Sequence, residues 1–123
     1  MFNITTKSIQ LRKADSDGLR ICVMRRIKKN FKFDLWIPEL SPPEKLLSEY
    51  VLKKKIKWLD FKKKFTKQVI KKQTKLLKLL LILANESPIT LLCWEKSSNR
   101  CHRKLLLNKL KEMKKAISKL KKQ

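Results

Sequence analysis

The chain has 123 residues, 42% of them hydrophobic, and sets 33 Lys+Arg against 10 Asp+Glu for a formal net charge of +23. That length fits one domain with one core, and the apolar content excludes a disordered tail. A single glycine, Gly18, excludes Walker-type and dinucleotide-binding phosphate loops, and three cysteines without framework spacing exclude a disulfide-stapled secreted scaffold.

Residues 1–18 read as an extended and turn region ending in "DSDG". They lack the apolar stretch of a secretory signal. "LRICVMRR" is rich in β-prone residues and predicts a buried strand from Leu19 to about Arg25. The segment that follows carries Asn30, Pro38, Pro42 and Pro43 and reads mostly as loop, with room for one extended piece. Ser41 as a cap, Pro42 and Pro43 in the first turn and Glu44 at the positive end predict a first helix over Pro42 to Lys53. A long middle helix starts near Asp60. Phe61, Phe65, Val69, Leu76, Leu79, Leu80 and Leu83 share one stripe of it, and Lys62, Lys63, Lys64, Lys67, Lys71, Lys75 and Lys78 fall mostly off that stripe. "NESP" ends the helix.

"ITLLCW", Ile89 to Trp94, has strand length. From Cys101 onward Leu106, Leu110, Met113, Ile117 and Leu120 recur at helical spacing, which predicts a last amphipathic helix. Residues 119–123 are expected to fray. The stripes are core and bind no cofactor. The most apolar run, Leu76 to Ala84, contains Lys78 and is too short to span a bilayer. A cytoplasmic location without a membrane partner is expected. The predicted fold is a small single-domain α/β unit over residues 1–123. Its sheet is at least partly parallel, with the strands near Leu19 and Ile89 paired, and is flanked by helices including the long middle one and the C-terminal one.

"CWEKSSNRCHR", residues 93–103, holds two of the three cysteines and the only histidine. It lies between a strand's carboxyl end and a helix start, where open α/β sheets bind ligands. Cys101, His102 and Arg103 fall in the first helical turn. There the helix dipole lowers a thiol's pKa, free N–H groups hold anions, and Arg103 adds a bidentate grip. Cys93 and Glu95 face the same hollow. Spacing leaves two readings equally open: a small anion-binding or thiolate pocket, or buried core thiols. A metal is disfavoured, because adjacent Cys101 and His102 point apart in a helix and no second Cys or His pair completes a tetrahedral site. No metal and no cofactor are expected.

The pattern Cys93, Glu95, then Cys101-His102-Arg103 after "ITLL" resembles the C-terminal motif of the domain-of-unknown-function family 488, the YeaO-like group. "DGLRICVMRR" is similar to that family's first strand, "WIPELSPPEKLL" to its Trp/Pro segment and "FKKKFTKQVIKKQ" to its middle helix. The resemblance implies a compact α/β fold with a pocket at the strand ends, and it implies no defined activity. The chain departs from the family where an acidic residue and a Trp-Pro-Arg-Gly-type loop usually follow the first strand. Met24 stands at the acidic position, Arg25 remains, and "RIKKNFKF" replaces the loop. An acid-dependent reaction loses its residue there, so the pocket near Cys101 reads as a relic on a scaffold rebuilt with lysines.

A charge of +23 calls for an anionic partner. Arg25, Arg26, Lys28 and Lys29 form one cluster, and Lys53, Lys54, Lys55 and Lys57 a second. Lys62, Lys63 and Lys64, continued by Lys67 and Lys71, form a third, and Lys104, Lys111, Lys114 and Lys115 of the last helix a fourth. Clusters on several faces suit burial among RNA helices better than one DNA groove. The expected function is an RNA-binding structural protein, a small ribosome-associated component contacting ribosomal RNA. The alternatives are a Cys/Arg-dependent enzyme acting on a nucleic acid or phosphorylated substrate, and a DNA-coating protein. Phe31, Phe33 and the tryptophans are stacking candidates that also read as core or rim residues.

Overall fold

The first strand of the sheet forms where the sequence shows only an extended and turn region. In a computed structural model that describes residues 3–97 and 100–121, Ile4–Ser8 is strand β1. Only Ile4 and Ser8 of "ITTKS" are buried, so no apolar alternation marks it. It pairs in parallel with β4, Ile89–Cys93, from Ile4↔Ile89 to Ser8↔Cys93. Strand β2, Leu19–Cys22, flanks β4 on its other side, also in parallel. The two residues Leu35–Trp36 form β3, parallel to β2 at the edge. The order is β1-β4-β2-β3. The protein has an α/β fold around a parallel sheet, as expected. All five residues of the central β4 are buried, which suits a strand covered on both faces.

Strand β2 is shorter than predicted. The Val23 N–H still reaches the Leu92 carbonyl at 3.0 Å, and beyond it the chain leaves the sheet. Before β2, Gly18 takes φ +63°, and a Cβ there would meet the Pro88 carbonyl oxygen at 2.1 Å. The chain's one glycine is thus where two strand starts must touch. Beside it Arg20, almost fully buried, pairs with Asp17 and donates to the Lys32 carbonyl at 3.0 Å. Burial pushes Asp17 up, but the Ala14 N–H, Lys7 and Arg20 together hold its carboxyl below the usual carboxylate range.

Three helical predictions need correction. The first helix is α1, Glu44–Leu47, continued by a π-helical turn over Ser48–Leu52, so it is shorter than Pro42 to Lys53. Ser41 does not cap it: its hydroxyl donates back to the Pro38 carbonyl, and Pro43 stands at the cap position. The long middle helix is two helices. The apolar stripe keeps its helical phase through α2, Trp58–Phe65, and loses it in the π turn Thr66–Ile70; Lys71–Gln73 then turn before α3, Thr74–Glu86. A π turn inserts a residue and rotates the face. Val69 and Ile70 are therefore both buried, Leu77, Leu80, Leu81 and Ala84 carry the core in α3, and Leu79 turns outward. The last helix, α4, runs His102–Lys121, so residues 119–121 are helical rather than frayed; residues 122–123 lie outside the described ones. Leu105, Leu106, Leu107 and Leu110 bury it, whereas Ile117 and Leu120 are 40% and 70% exposed.

The sheet divides the core. Ile21 and Leu91 face the helices with Phe61, Phe65, Leu80 and Leu106. Cys22 and Leu92 face the other way, beneath Met24, Phe31 and Phe33 of the loop that follows β2. Among the described residues no helix is long and apolar enough to cross a membrane.

Candidate functional site

Strand β4 ends at Cys93 and helix α4 begins at His102, so Cys101 stands just ahead of the helix rather than in it. That single offset corrects the expectation that Cys101 and His102 point apart. The His102 Nδ1 lies 3.7 Å from the Cys93 sulfur and 3.8 Å from the Cys101 sulfur. Glu95 brings its Oε2 to 3.2 Å from Cys93 and 3.3 Å from Cys101. The far nitrogen of His102, Nε2, is 2.7 Å from the Val23 carbonyl. A carbonyl only accepts, so Nε2 carries a proton, and the Cys93 sulfur lies alongside the ring, 3.7 Å from Nδ1 and 3.9 Å from Nε2. The ring is fixed further by the edge-on contact of Phe65, centroids 5.6 Å apart.

Arg103 is buried and turned inward. Its Nη1 donates to the Glu95 carbonyl at 2.6 Å and its Nη2 to the Lys96 carbonyl at 3.4 Å. It fastens the loop after β4 to α4 and lies 3.9 Å from the Cys101 sulfur. Its guanidinium positions the loop through Nη1 and Nη2, and its buried Nε has no hydrogen-bond partner among the described residues.

The Cys101 thiol is held well below its ordinary range. The Cys93 thiol donating to it is the main cause, with His102 and the Arg103 N–H adding against burial. Cys93 moves upward for the same reason, reinforced by burial and the Glu95 charge. Glu95 itself is raised by burial but lowered more by its own backbone N–H, the two thiols and His102. The third cysteine, Cys22, is pushed up by burial and belongs to the core.

Above this cluster opens a cavity of about 470 Å³. Cys93, Glu95 and His102 are among its lining residues, and Cys101 is not. Leu47, Val51 and Leu52 from the α1 segment, with Met24, Pro42 and Trp94, make an apolar wall. Arg25, Arg26 and Glu44 complete it, with Arg26 paired to Glu44 at 2.8 Å and Arg25 donating to the Pro42 carbonyl at 3.2 Å.

A family model described as the active DUF488-N3 subclade (DUF488-N3a) matches residues 4–114. The chain belongs to the DUF488 family. No curated protein and no solved structure matches it. The matched span runs from β1 into α4 of this DUF488 chain.

The predicted basic residues are spread over the DUF488 domain rather than gathered at the cavity. Arg25 and Arg26 line it, and Lys28 lies over the Trp94 ring at 5.2 Å. Lys29, Lys53, Lys54, Lys55, Lys57, Lys62, Lys63, Lys67, Lys71, Lys111 and Lys115 are exposed. Lys64, Lys104 and Lys114 are half-buried, Lys64 within 3.7 Å of Glu49. Trp58 stacks on Phe61 in the core, Phe31 and Phe33 anchor the loop, and Trp36 and Trp94 are exposed.

Sequence reasoning missed the wall contributed by Leu47, Val51 and Leu52. The available signal was an excess of apolar residues in a short helix: Leu46 alone is fully buried there, which leaves Val51 and Leu52 facing outward.

Proposed function

We propose that this protein is an enzyme acting on a nucleic acid or a phosphorylated substrate, with Cys93, Glu95, Cys101 and His102 at its reacting centre. The observation that carries the reading is the convergence of these four side chains, three of which line a cavity that opens at the carboxyl end of a central parallel strand. Thiols kept only for packing require neither a carboxylate and an imidazole turned onto them nor an opening beside them. Arg25 and Arg26 supply cations at the same cavity, and Leu47, Val51 and Leu52 give it an apolar wall. The matching family is described as an active subclade, which supports a working pocket over a relic. Met24 removes one carboxylate from the pocket, while Glu44 reaches the same cavity from α1.

The test incubates the wild type and the Cys93→Ser and Cys101→Ser variants, matched for fold by circular dichroism, with nucleotides and with RNA and DNA oligonucleotides. Products are read by mass spectrometry. Turnover by the wild type that both variants lose is expected. Turnover surviving in both variants sinks the reading, and so does a folded wild type that converts none of these substrates.

A second reading, the RNA-binding component associated with ribosomes, is supported by the surface. Among the described residues the ion pairs engage Lys7, Arg20, Arg26, Lys64 and Lys109, while Lys53, Lys54, Lys55, Lys57, Lys62, Lys63, Lys67, Lys111 and Lys115 are exposed. Lysine contacts with phosphates would position such a protein without reading sequence. Copurification of the native protein from the cytoplasm decides: ribosomal particles support this reading, and bare DNA replaces it with the DNA-coating one.

A further inference from the structure

We infer that Cys93, Cys101 and His102 bind a zinc ion whose fourth position opens to the cavity. The inference rests on the reading of this cluster as the pocket's working centre, and it reverses the expectation of a metal-free chain.

The donor set comes first. Two thiol sulfurs and an imidazole nitrogen are zinc ligands, and the sulfurs select against magnesium and calcium. The sulfurs and the His102 nitrogen all lie within 4.8 Å of one another.

The spacing agrees with one central ion. Zinc bonds of about 2.3 Å to sulfur and about 2.0 Å to nitrogen, at tetrahedral angles, place sulfur and nitrogen about 3.5 Å apart. His102 Nδ1 stands 3.7 and 3.8 Å from the two sulfurs. Seating the ion on Nδ1 requires the Cys93 sulfur to swing from the side of the ring, where it is also 3.9 Å from Nε2, toward the Nδ1 end.

The outer contacts agree as well. A zinc-bound histidine nearly always donates its other N–H to a carbonyl or carboxylate, which fixes the ring. His102 does this toward Val23 at 2.7 Å. Arg103 holds the Glu95 and Lys96 carbonyls and puts a positive charge 3.9 Å from Cys101, which offsets the excess negative charge of two thiolates and a carboxylate around a divalent cation. A disulfide between Cys93 and Cys101 would account for the paired sulfurs but not for an imidazole nitrogen and a carboxylate oxygen within 4 Å of both of them. Because Cys93, Glu95 and His102 line the cavity, the ion would be open to a ligand entering it. That is the pattern of a catalytic zinc, which keeps one exchangeable position.

The test purifies the full untagged chain under reducing conditions and measures metal by elemental mass spectrometry, then replaces the metal with cobalt. About one zinc per chain is expected, together with a sulfur-to-cobalt charge-transfer band. Cys93→Ser, Cys101→Ser and His102→Ala should each weaken zinc binding by at least about tenfold, since even outer-shell changes cost about 10–100-fold. If a variant fails to fold, chelator removal and zinc titration of the wild type, with its free thiols counted before and after, replaces it. A folded, reduced wild type that binds zinc no better than the Cys93→Ser/Cys101→Ser double variant overturns the inference, as does a cobalt spectrum without sulfur ligation. Zinc bound without turnover sinks only the enzymatic reading, and turnover unaffected by complete metal removal sinks only this one.

Discussion

His102, the first residue of α4, donates its Nε2–H to the carbonyl of Val23, the residue just past the end of β2. One ring thus joins the two ends of the fold that border the cavity. His102→Ala leaves a buried carbonyl unpaired, which costs about 1–3 kcal/mol. Urea unfolding with chelator present should show a lower midpoint at unchanged slope. An unchanged midpoint means that the bond contributes nothing to the fold.

Asp17 makes stability depend on acid. Its folded pKa lies below its ordinary value of 3.8, so its contribution is complete above that value and is lost as the pH falls through the lower folded one. Burial opposes this shift, and the Ala14 N–H, Lys7 and Arg20 outweigh it. Urea midpoints measured across the acid range should fall for the wild type, and Asp17→Asn should flatten that part of the profile. Asp17→Ala, which strands the buried Arg20 guanidinium, should cost about 3–5 kcal/mol.

Gly18→Ala should destabilise by about 1–3 kcal/mol from backbone strain alone. The clash of its Cβ with the Pro88 carbonyl, 2.1 Å away, adds to that. Thermal unfolding reads the loss. Since Gly18 is remote from Cys93 and His102, zinc binding by the folded variant should be unchanged.

Nucleic-acid binding, if the lysine surface carries it, should be steep in salt. About six phosphate contacts cost roughly a thousandfold in affinity between 50 and 200 mM salt. Charge reversal of Arg26, Lys28 and Lys29 to Glu spares Arg25, whose guanidinium holds the Pro42 and Ser41 carbonyls. A filter-binding titration should then show weaker binding and a shallower salt slope. Affinity indifferent to salt would discard phosphate contacts altogether.

Parts of this arrangement are legible in the residues and parts are not. "ITLLC" announces a buried strand through five consecutive β-compatible residues, and the glutamate, cysteines and histidine beyond it mark the site. Strand β1 is silent, because an edge strand with two buried residues in five leaves no period. The break between α2 and α3 is silent too, since "TKQVIKKQT" has no glycine or proline and a π turn has no compositional signature. The geometry of the site depended on where α4 starts. One residue earlier would have placed Cys101 inside the first turn and carried its sulfur away from His102. Helix starts are the least determinate feature of a sequence, and this one has no Ser, Thr, Asp or Asn immediately before it.

The strand order has a consequence for how the protein is made. Both β1 and β2 take their hydrogen bonds from β4, with 85 residues separating Ile4 from its partner Ile89. During synthesis β1 therefore waits unpaired, and β2 with only the two-residue β3 beside it, until most of the chain has left the ribosome. Such distant pairing makes folding slow relative to that of a helical bundle of the same size. Cys93 arrives with the strand that closes the sheet, and His102 with the helix that follows it. The fold and its reacting groups are assembled in the same late event, and a chain cut short before residue 89 has neither.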